Sequence, residues 1–357
     1  MSDATKDGSR GEAPLATAAT RRRRGASMAD VAKLAGVSAQ TVSRVSNGFP
    51  GVVESTRQQV LAAMKELGYR PNSAARALKR GEFRTLGVVL FNLSTTGNMR
   101  TLEAVAVAAA QEGYATTLMP VTVPSQDEVL GAFSRLGELA VDGIVIIMEV
   151  HLLDSATVSL PPNAQVVVVD SNASDRYSVV DTDQAGGSEA AVRHLLDLGH
   201  ETVWHVAGPE ESFASERRVD SWRAVLAAAG RAEPEILRGD WSAESGYRAG
   251  RRLAAEPGCT AVFVANDQMA LGVLRALHEA GRRVPEDVSV VGFDDIPEAA
   301  SFMPPLTTVH QDFAEVGRRC VATVLRQIRE DESERGTDLV PTRLVVRDST
   351  APPPANG

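Results

Sequence analysis

The chain has 357 residues, 43% hydrophobic and 23% charged, a globular balance at a length that implies two or three domains. Its formal net charge of -9 is split: residues 1–84 carry 15 Lys and Arg against 7 Asp and Glu, and the remainder carries 22 against 39. No run approaches the roughly 18 apolar residues of a membrane span, and no apolar signal core follows the N-terminal charges, so a cytoplasmic chain that is neither membrane-spanning nor exported is expected.

A basic module on an acidic body suits a protein that meets a polyanion at one end only. Cys259 and Cys320 sit in apolar surroundings without a Cys or His at ligand spacing. Neither a disulfide nor a metal site is indicated, and no cofactor is expected.

Residues 1–26, rich in Ala, Thr, Gly, Ser and Arg and ending near "RRRR" at 21–24, read as a disordered basic arm. Ser27 and Asp30 then match a capping box. Val31, Leu34 and Ala35 mark one face of a first helix, which Gly36 stops. Ser38 caps a second helix over 39 to about 46. Ser55 and Gln58 match a further capping box, opening a third helix that buries Val60, Leu61, Met64 and Leu67 before Gly68. These helices make a small all-α domain over 27–70, near the lower size limit for folding alone.

"RPNSAARALKRGE" follows, with Pro71 as breaker, Asn72 as cap and Gly81 as stop. The two turns it allows are too short to persist alone in water, so 71–82 is expected to be a helical linker that forms only when held. From Thr85 onward apolar runs alternate with helical stretches: "TLGVVLF", "GIVIIM", "AQVVVVD", "TVWHVAG", "AVFVAND" and "VSVVGFDD". Continuous Val and Ile runs suit strands buried on both faces, and the length suits two doubly wound parallel sheets. Asp170, Asn266 with Asp267, and Asp294 with Asp295 end such strands and should line a cleft, although each alone could be a helix cap.

The chemistry begins in "GVSAQTVSRVSNG". On a wheel of about 100° per residue, Ala39, Gln40, Ser43 and Arg44 share one side and Val42 and Val45 the other. One face packs. The other presents groups that read a major groove: Arg forks onto guanine, Gln onto adenine, and Ala meets a thymine methyl. Helix, Gly-containing turn and helix form a helix-turn-helix, and the absence of acids in the second helix spares it repulsion from phosphates.

"MADVAKLAGVSAQTVSRVSNG", "PNSAARALKRG", "TLGVV", "ANDQMALG", "VVGFDD" and "PPLTTVHQDF" together resemble the lactose-repressor (LacI/GalR) family of bacterial transcription factors, over roughly residues 28–346. The resemblance implies that Ala39, Gln40 and Arg44 read bases, that Thr41, Ser43 and Asn47 lie near phosphates, and that Leu78, with Ala75 beside it, wedges into the minor groove at the centre of a palindromic operator. It implies a two-lobed core resembling periplasmic sugar-binding proteins over 83–346. The N-lobe would hold about 83–182 and 313–340, the C-lobe about 183–309 and 341–347, with a disordered tail over 348–357. The matching effector positions are Phe91, Asn92, Asp170, Arg218, Trp241, Asn266, Gln268, Asp294, Gln311 and Phe313. Their chemistry suits a sugar: rings for an apolar pyranose face, two-pronged polar groups for vicinal hydroxyls. The chain departs from the lactose-repressor pattern at Phe91, which replaces a small residue, and at Met148 and Glu149, which replace a polar amide wall.

The resulting expectation is a homodimeric repressor released from its operator by a small galactoside- or glucoside-like saccharide. A corepressor or non-sugar effector is the alternative. The tail lacks leucine heptads, so a tetramer held by such heptads is not expected. Catalysis on sugars and an exported solute-binding protein are the remaining rivals. For the first there is no Walker A loop, no G-x-S-x-G elbow and no metal-spaced set, and no catalytic residue is assigned; against the second stands the added basic N-terminal module. Trp222, His200 and His205, the two histidines flanking a strand, are assigned to packing or hydrogen bonding.

Overall fold

The computed structural model describes residues 26–70, 82–121, 126–147, 165–172, 174, 176–330 and 335–354. The chain divides into two compact units, 1–79 and 80–357.

The first unit contains helices α1 (Met28–Leu34), α2 (Ala39–Ser46) and α3 (Glu54–Leu67). Ser27 caps α1 in a full capping box: its Oγ accepts from Asp30 N–H at 3.3 Å, and Asp30 Oδ2 accepts from Ser27 N–H at 2.8 Å. Ser38 Oγ caps α2 through Thr41 N–H at 3.1 Å. The expected Ser55–Gln58 box does not form. The N-cap position of α3 falls two residues earlier, at Val53, with no side-chain cap, and Gln58 instead donates to Glu54 at 2.7 Å.

Val31, Ala32, Ala35, Val42, Val45, Val60, Ala63 and Met64 form the core of this unit. Leu34, Leu61 and Leu67, expected inside, are exposed by 46%, 44% and 36%. At about 100° per residue the buried arc of α1 runs from Val31 through Ala35 to Ala32, and Leu34 falls outside it. Leu61 likewise lies beyond the arc of Ala63, Val60 and Met64. Leu67 is on that arc but is the last residue of α3.

The second unit holds two six-stranded sheets. The first contains β1 (Thr85–Phe91), β2 (Ala115–Val121), β3 (Gly143–Ile147), β4 (Val166–Val169), β5 (Ser178–Thr182) and β11 (Gly336–Val340), in the order β11-β5-β4-β3-β1-β2. Its helices are α4 (Thr96–Gln111), α5 (Gln126–Glu138) and α10 (Phe313–Glu330). The second contains β6 (Trp204–Ala207), β7 (Leu237–Arg238), β8 (Ala261–Val264), β9 (Ser289–Asp294), β10 (Thr307–His310) and β12 (Arg343–Val345), in the order β12-β10-β9-β8-β6-β7. Helices α6 (Gln184–Asp197), α7 (Phe213–Ala228), α8 (Ala243–Ala254) and α9 (Asp267–Glu279) belong with it.

Pairing is parallel throughout, apart from β12 against β10. The chain passes between the sheets after β5, after β10 and between β11 and β12. Each sheet is buried on both faces, which is why its central strands are continuous apolar runs. Leu86, Val88 and Leu90 of β1 enter one core with Val316 and Val321 of α10; Val89 and Phe91 enter the other with Phe133 and Leu136 of α5.

The tail does not behave as expected from residue 348. Ser349 is fully buried, its Oγ accepting from Thr307 N–H at 2.8 Å and donating to Val290 O at 2.6 Å. His200 Nε2 bonds Ala351 O at 3.0 Å. The small residues of "DSTAP" let the backbone lie against β9 and β10 and complete their hydrogen bonding through residue 351. His205 stands inside β6 rather than beside it, its ring stacked on Phe263 at 4.8 Å and on Trp222 at 5.4 Å. Trp222 is fully buried and donates to Val203 O at 2.8 Å.

Candidate functional site

In the first unit, α2 buries Val42 and Val45 and leaves Ala39, Gln40 and Arg44 exposed on its other side. No carboxylate lies on this helix. Thr41 and Ser43 are half-buried, and Thr41 Oγ1 shares a 3.0 Å hydrogen bond with Ser38 Oγ. Asn47 turns back on the helix it ends, donating from Nδ2 to Ser43 O at 2.7 Å and Ser43 Oγ at 3.2 Å. Its amide donor is thus committed to the C-cap, where a phosphate contact was expected. Ala75, Leu78, Met148 and Glu149 lie outside the described residues.

In the second unit, a cleft of about 70 Å³ lies between the carboxyl ends of the two sheets, where open α/β sheets bind ligands. Asp170, Arg218, Trp241, Asn266, Asp294, Gln311 and Phe313 line it as expected. Asp170 follows β4, Asp294 ends β9 and Asn266 caps α9 through Met269 N–H at 2.9 Å. Asp170, Trp241 and Asp294 have φ of +56°, +70° and +116°. Left-handed backbone at non-glycine residues costs on the order of 1 kcal/mol or more each, and such strain gathers at sites where a side chain must be aimed.

Arg218 is the centre of the polar wall and is 3% exposed. Its Nε donates to Gln184 Oε1 at 2.8 Å, its Nη1 donates to Ala265 O, and its Nη2 lies 4.0 Å from Asp294 Oδ1. The guanidinium sits 3.7 Å from the Phe293 ring centroid and 5.6 Å from that of Trp241, so rings cover the face its hydrogen bonds leave open. Asp294 also accepts from Gln311 Nε2 at 2.6 Å.

Burial pushes the Asp294 carboxyl up to about 6, with Arg218 and Gln311 pulling the other way. Burial raises Asp170 as well, against Arg217 and Arg218. Asp267, which the strand-end pattern placed at the cleft, is wholly buried beneath it. Its oxygens accept from Thr308 Oγ1 at 2.6 Å and Ile296 N–H at 2.9 Å, and burial, then the neighbouring Asp294, lift its pKa well above the carboxylate range. Two buried polar atoms of the lining have no hydrogen-bond partner among the described residues: Asp170 Oδ1 and Trp241 Nε1.

Three expected positions fall elsewhere. Phe91 has the parity of Val89 and is buried in the core on the α5 side. Asn92 is exposed and closes a turn, its Oδ1 accepting from Ser94 N–H at 3.0 Å. Gln268 is absent from the lining and donates to Thr96 Oγ1 at 2.8 Å. The lining also includes residues that sequence reasoning missed: Thr95, Thr96, Asn98 and Thr101 at the start of α4, with Asp181 and Thr182 at the end of β5 and Gln184 just after it. Applying the strand-end rule to β1 and β5 would have found them. No group of His, Cys, Asp or Glu suited to a metal occurs among the described residues, nor does a helix long and apolar enough to cross a membrane.

Comparison with known proteins agrees with both surfaces. The profile of bacterial regulatory proteins of the lacI family matches residues 27–72, and that of the periplasmic binding protein-like domain matches residues 192–350. The lactose operon repressor of Escherichia coli (strain K12) is 35% identical over 329 residues, 91% of this chain and 90% of that one. A crystal structure of the lac repressor dimer bound to operator and the anti-inducer ONPF superposes with a TM-score of 0.83 at 32% identity, covering 92% of this chain and all of that one. The complex of the transcriptional regulator CelR with cellobiose gives a TM-score of 0.67 at 32% identity, covering 91% and 99%. With an exposed, acid-free recognition helix in one unit and a polar interlobe cleft in the other, the chain belongs to the lacI family of bacterial regulatory proteins and is a transcriptional regulator rather than an enzyme.

Proposed function

We propose that the chain acts in the cytoplasm as a homodimeric repressor. It holds a palindromic operator and releases it when a small neutral saccharide, galactoside- or glucoside-like, enters the cleft. The observation that carries this reading is the pair of unsatisfied buried atoms in the cleft lining, the acceptor Asp170 Oδ1 and the donor Trp241 Nε1. A buried polar atom without a partner costs about 1–3 kcal/mol. Hydroxyls both donate and accept, so a polyol answers both atoms, and the rings of Trp241 and Phe313 offer cover for its C–H face.

Charge supports a neutral ligand. Asp170, Asp181 and Asp294 line the cleft with the guanidinium of Arg218, and Arg217 pairs with Asp181 beside it, so among the described residues no surplus cation is left for a phosphorylated sugar. The operator and anti-inducer of the lac repressor structure, and the cellobiose of CelR, belong to those proteins and support the same class of partners here. Ala39, Gln40 and Arg44 would read bases, Thr41 and Ser43 would approach phosphates, and a dimer would match the two halves of a palindrome. Occupancy of the cleft would shift the population toward a form whose 71–82 segments no longer engage DNA. By linkage, operator would weaken saccharide binding by the same factor.

The test is Trp241→Ala in the full chain. Operator affinity should stay within twofold of the parent while release by saccharide is lost. Release of the variant by the same saccharide at the same concentration would reject the assignment.

A further inference from the structure

We infer that Gln268 and Thr96 form a cross-cleft latch: they are positioning residues that set how far the lobes close around the effector. The inference rests on the cleft being the effector site, and it assigns a regulatory part to a pair of which Thr96 lines the cleft and Gln268 does not. Gln268 lies in the first turn of α9, on the second sheet, and Thr96 is the first residue of α4, on the first sheet. They are 172 positions apart in sequence, yet Gln268 Nε2 donates to Thr96 Oγ1 at 2.8 Å.

The amide of Gln268 is oriented from behind. Asn266 Nδ2 donates to Gln268 Oε1 at 3.1 Å and to Trp241 O at 3.1 Å, while Asn266 Oδ1 caps α9 through Met269 N–H. With Oε1 accepting from Asn266, the Gln268 NH₂ group faces the opposite lobe. A continuous chain of bonds therefore runs from the backbone of the cleft tryptophan, through Asn266 and Gln268, to the N-terminal turn of α4. Thr96, Asn266 and Trp241 line the cleft and Gln268 does not, so a ligand pressing on Trp241 acts on the latch without touching its donor.

A second tie joins the lobes. Arg217 of α7 pairs with Asp181 and also donates to Ser171 O at 3.1 Å and Asn172 Oδ1 at 2.6 Å. This tie uses a guanidinium on a carboxylate and two further oxygens, so it is the stronger and less reversible of the two. The Gln268–Thr96 bond is single and neutral, and both side chains are half-buried. Exchanging such a bond for water changes an equilibrium by about two- to tenfold, a range suited to setting a population without locking it.

The experiment measures interlobe distance directly, so its outcome is independent of which effector binds. Cys259 and Cys320 are buried, which leaves introduced thiols at exposed Glu138 and Arg231, one on each lobe, for spin labelling in the full chain. Electron–electron distance distributions are compared for the parent, Thr96→Val, Gln268→Met, the double variant and Thr96→Ser. The latch predicts that both single variants move population toward a longer distance by about two- to tenfold. The double variant should go no further than either single one, and Thr96→Ser, which keeps the hydroxyl, should match the parent. Unchanged distributions, additive shifts in the double variant, or a Thr96→Ser shift equal to that of Thr96→Val would overturn it. A latch that behaves as stated in a protein no saccharide releases would leave this inference standing and remove the saccharide reading alone.

Discussion

The indole of Trp241 rests on the backbone of Gly208, so closely that a methyl added to Gly208 would overlap the six-membered ring. Gly208 directly follows β6, and the missing side chain is what lets the ring lie flat at the cleft wall, where Arg218 reaches it. Gly208→Ala should therefore tilt the indole and weaken effector binding by about 1–3 kcal/mol, the usual cost of overpacking. Titration of intrinsic tryptophan fluorescence checks this, with operator affinity as the control that should not move. An alanine variant with parental effector affinity would show that the ring's seat does not matter.

On the DNA side, Arg44 is exposed on α2 opposite buried Val42 and Val45. Arg44→Ala should cost about 1–3 kcal/mol of operator affinity and relax preference at one base position in each half-site. Selection from a randomised operator library reads both effects. A uniform loss across all positions would instead identify Arg44 as a phosphate contact.

Asp294 gives the cleft a pH dependence. Its pKa is raised from 3.8 to about 6 by burial. An acid raised on folding contributes stability below its unfolded value, near 3.8, and that contribution is lost as pH rises through about 6. An effector hydroxyl donating to the carboxylate has the opposite preference, because it favours the ionised form. Effector affinity should therefore fall as pH is lowered through about 6, and Asp294→Asn should remove that step while weakening binding overall. Calorimetric titrations between about pH 5 and pH 8 would show it; a pH-independent affinity in the parent would exclude hydrogen bonding of the effector to ionised Asp294.

His205 works in the other direction. Burial drives it down to about 3, against its bond to the Phe263 carbonyl. A base lowered on folding takes up protons in the unfolded chain first, so its burial costs nothing above about 6.5 and costs more as pH falls toward 3. His205→Phe keeps the stack between Trp222 and Phe263 but loses the hydrogen bond, about 1 kcal/mol near pH 7.5. The deficit should shrink, or reverse, in urea melts near pH 5.5. A deficit constant over that range would mean that His205 does not titrate on unfolding.

Much of this architecture is legible in the residues because central strands and caps have strong local signatures. β1, β3, β4, β8 and β9 are continuous Val, Ile, Leu and Phe runs since both faces are covered. β2 and β11 are largely exposed edge strands and β5 is a short, polar-ended strand, so none has an unbroken apolar run to betray it. In the cleft, Asp170, Asn266 and Asp294 are readable as polar residues closing apolar strands. Thr95, Asn98 and Gln184 are not, because small polar residues at a helix start look the same whether they cap or face a ligand. Phe91 and Gln268 were misplaced for geometric reasons: one residue of strand parity sends Phe91 to the opposite core, and one bond to Thr96 takes Gln268 out of the lining.

On the proposed function, one chain couples an operator to a neutral saccharide. Fluorescence anisotropy of a labelled palindromic fragment from upstream of its own gene tests this most directly, with the full-length protein at fixed salt and a panel of mono- and disaccharides. Salt must be held constant because phosphate contacts dominate affinity. Sequence-specific binding that one neutral saccharide releases is the expected result. Specific binding that no neutral saccharide disturbs would contradict it.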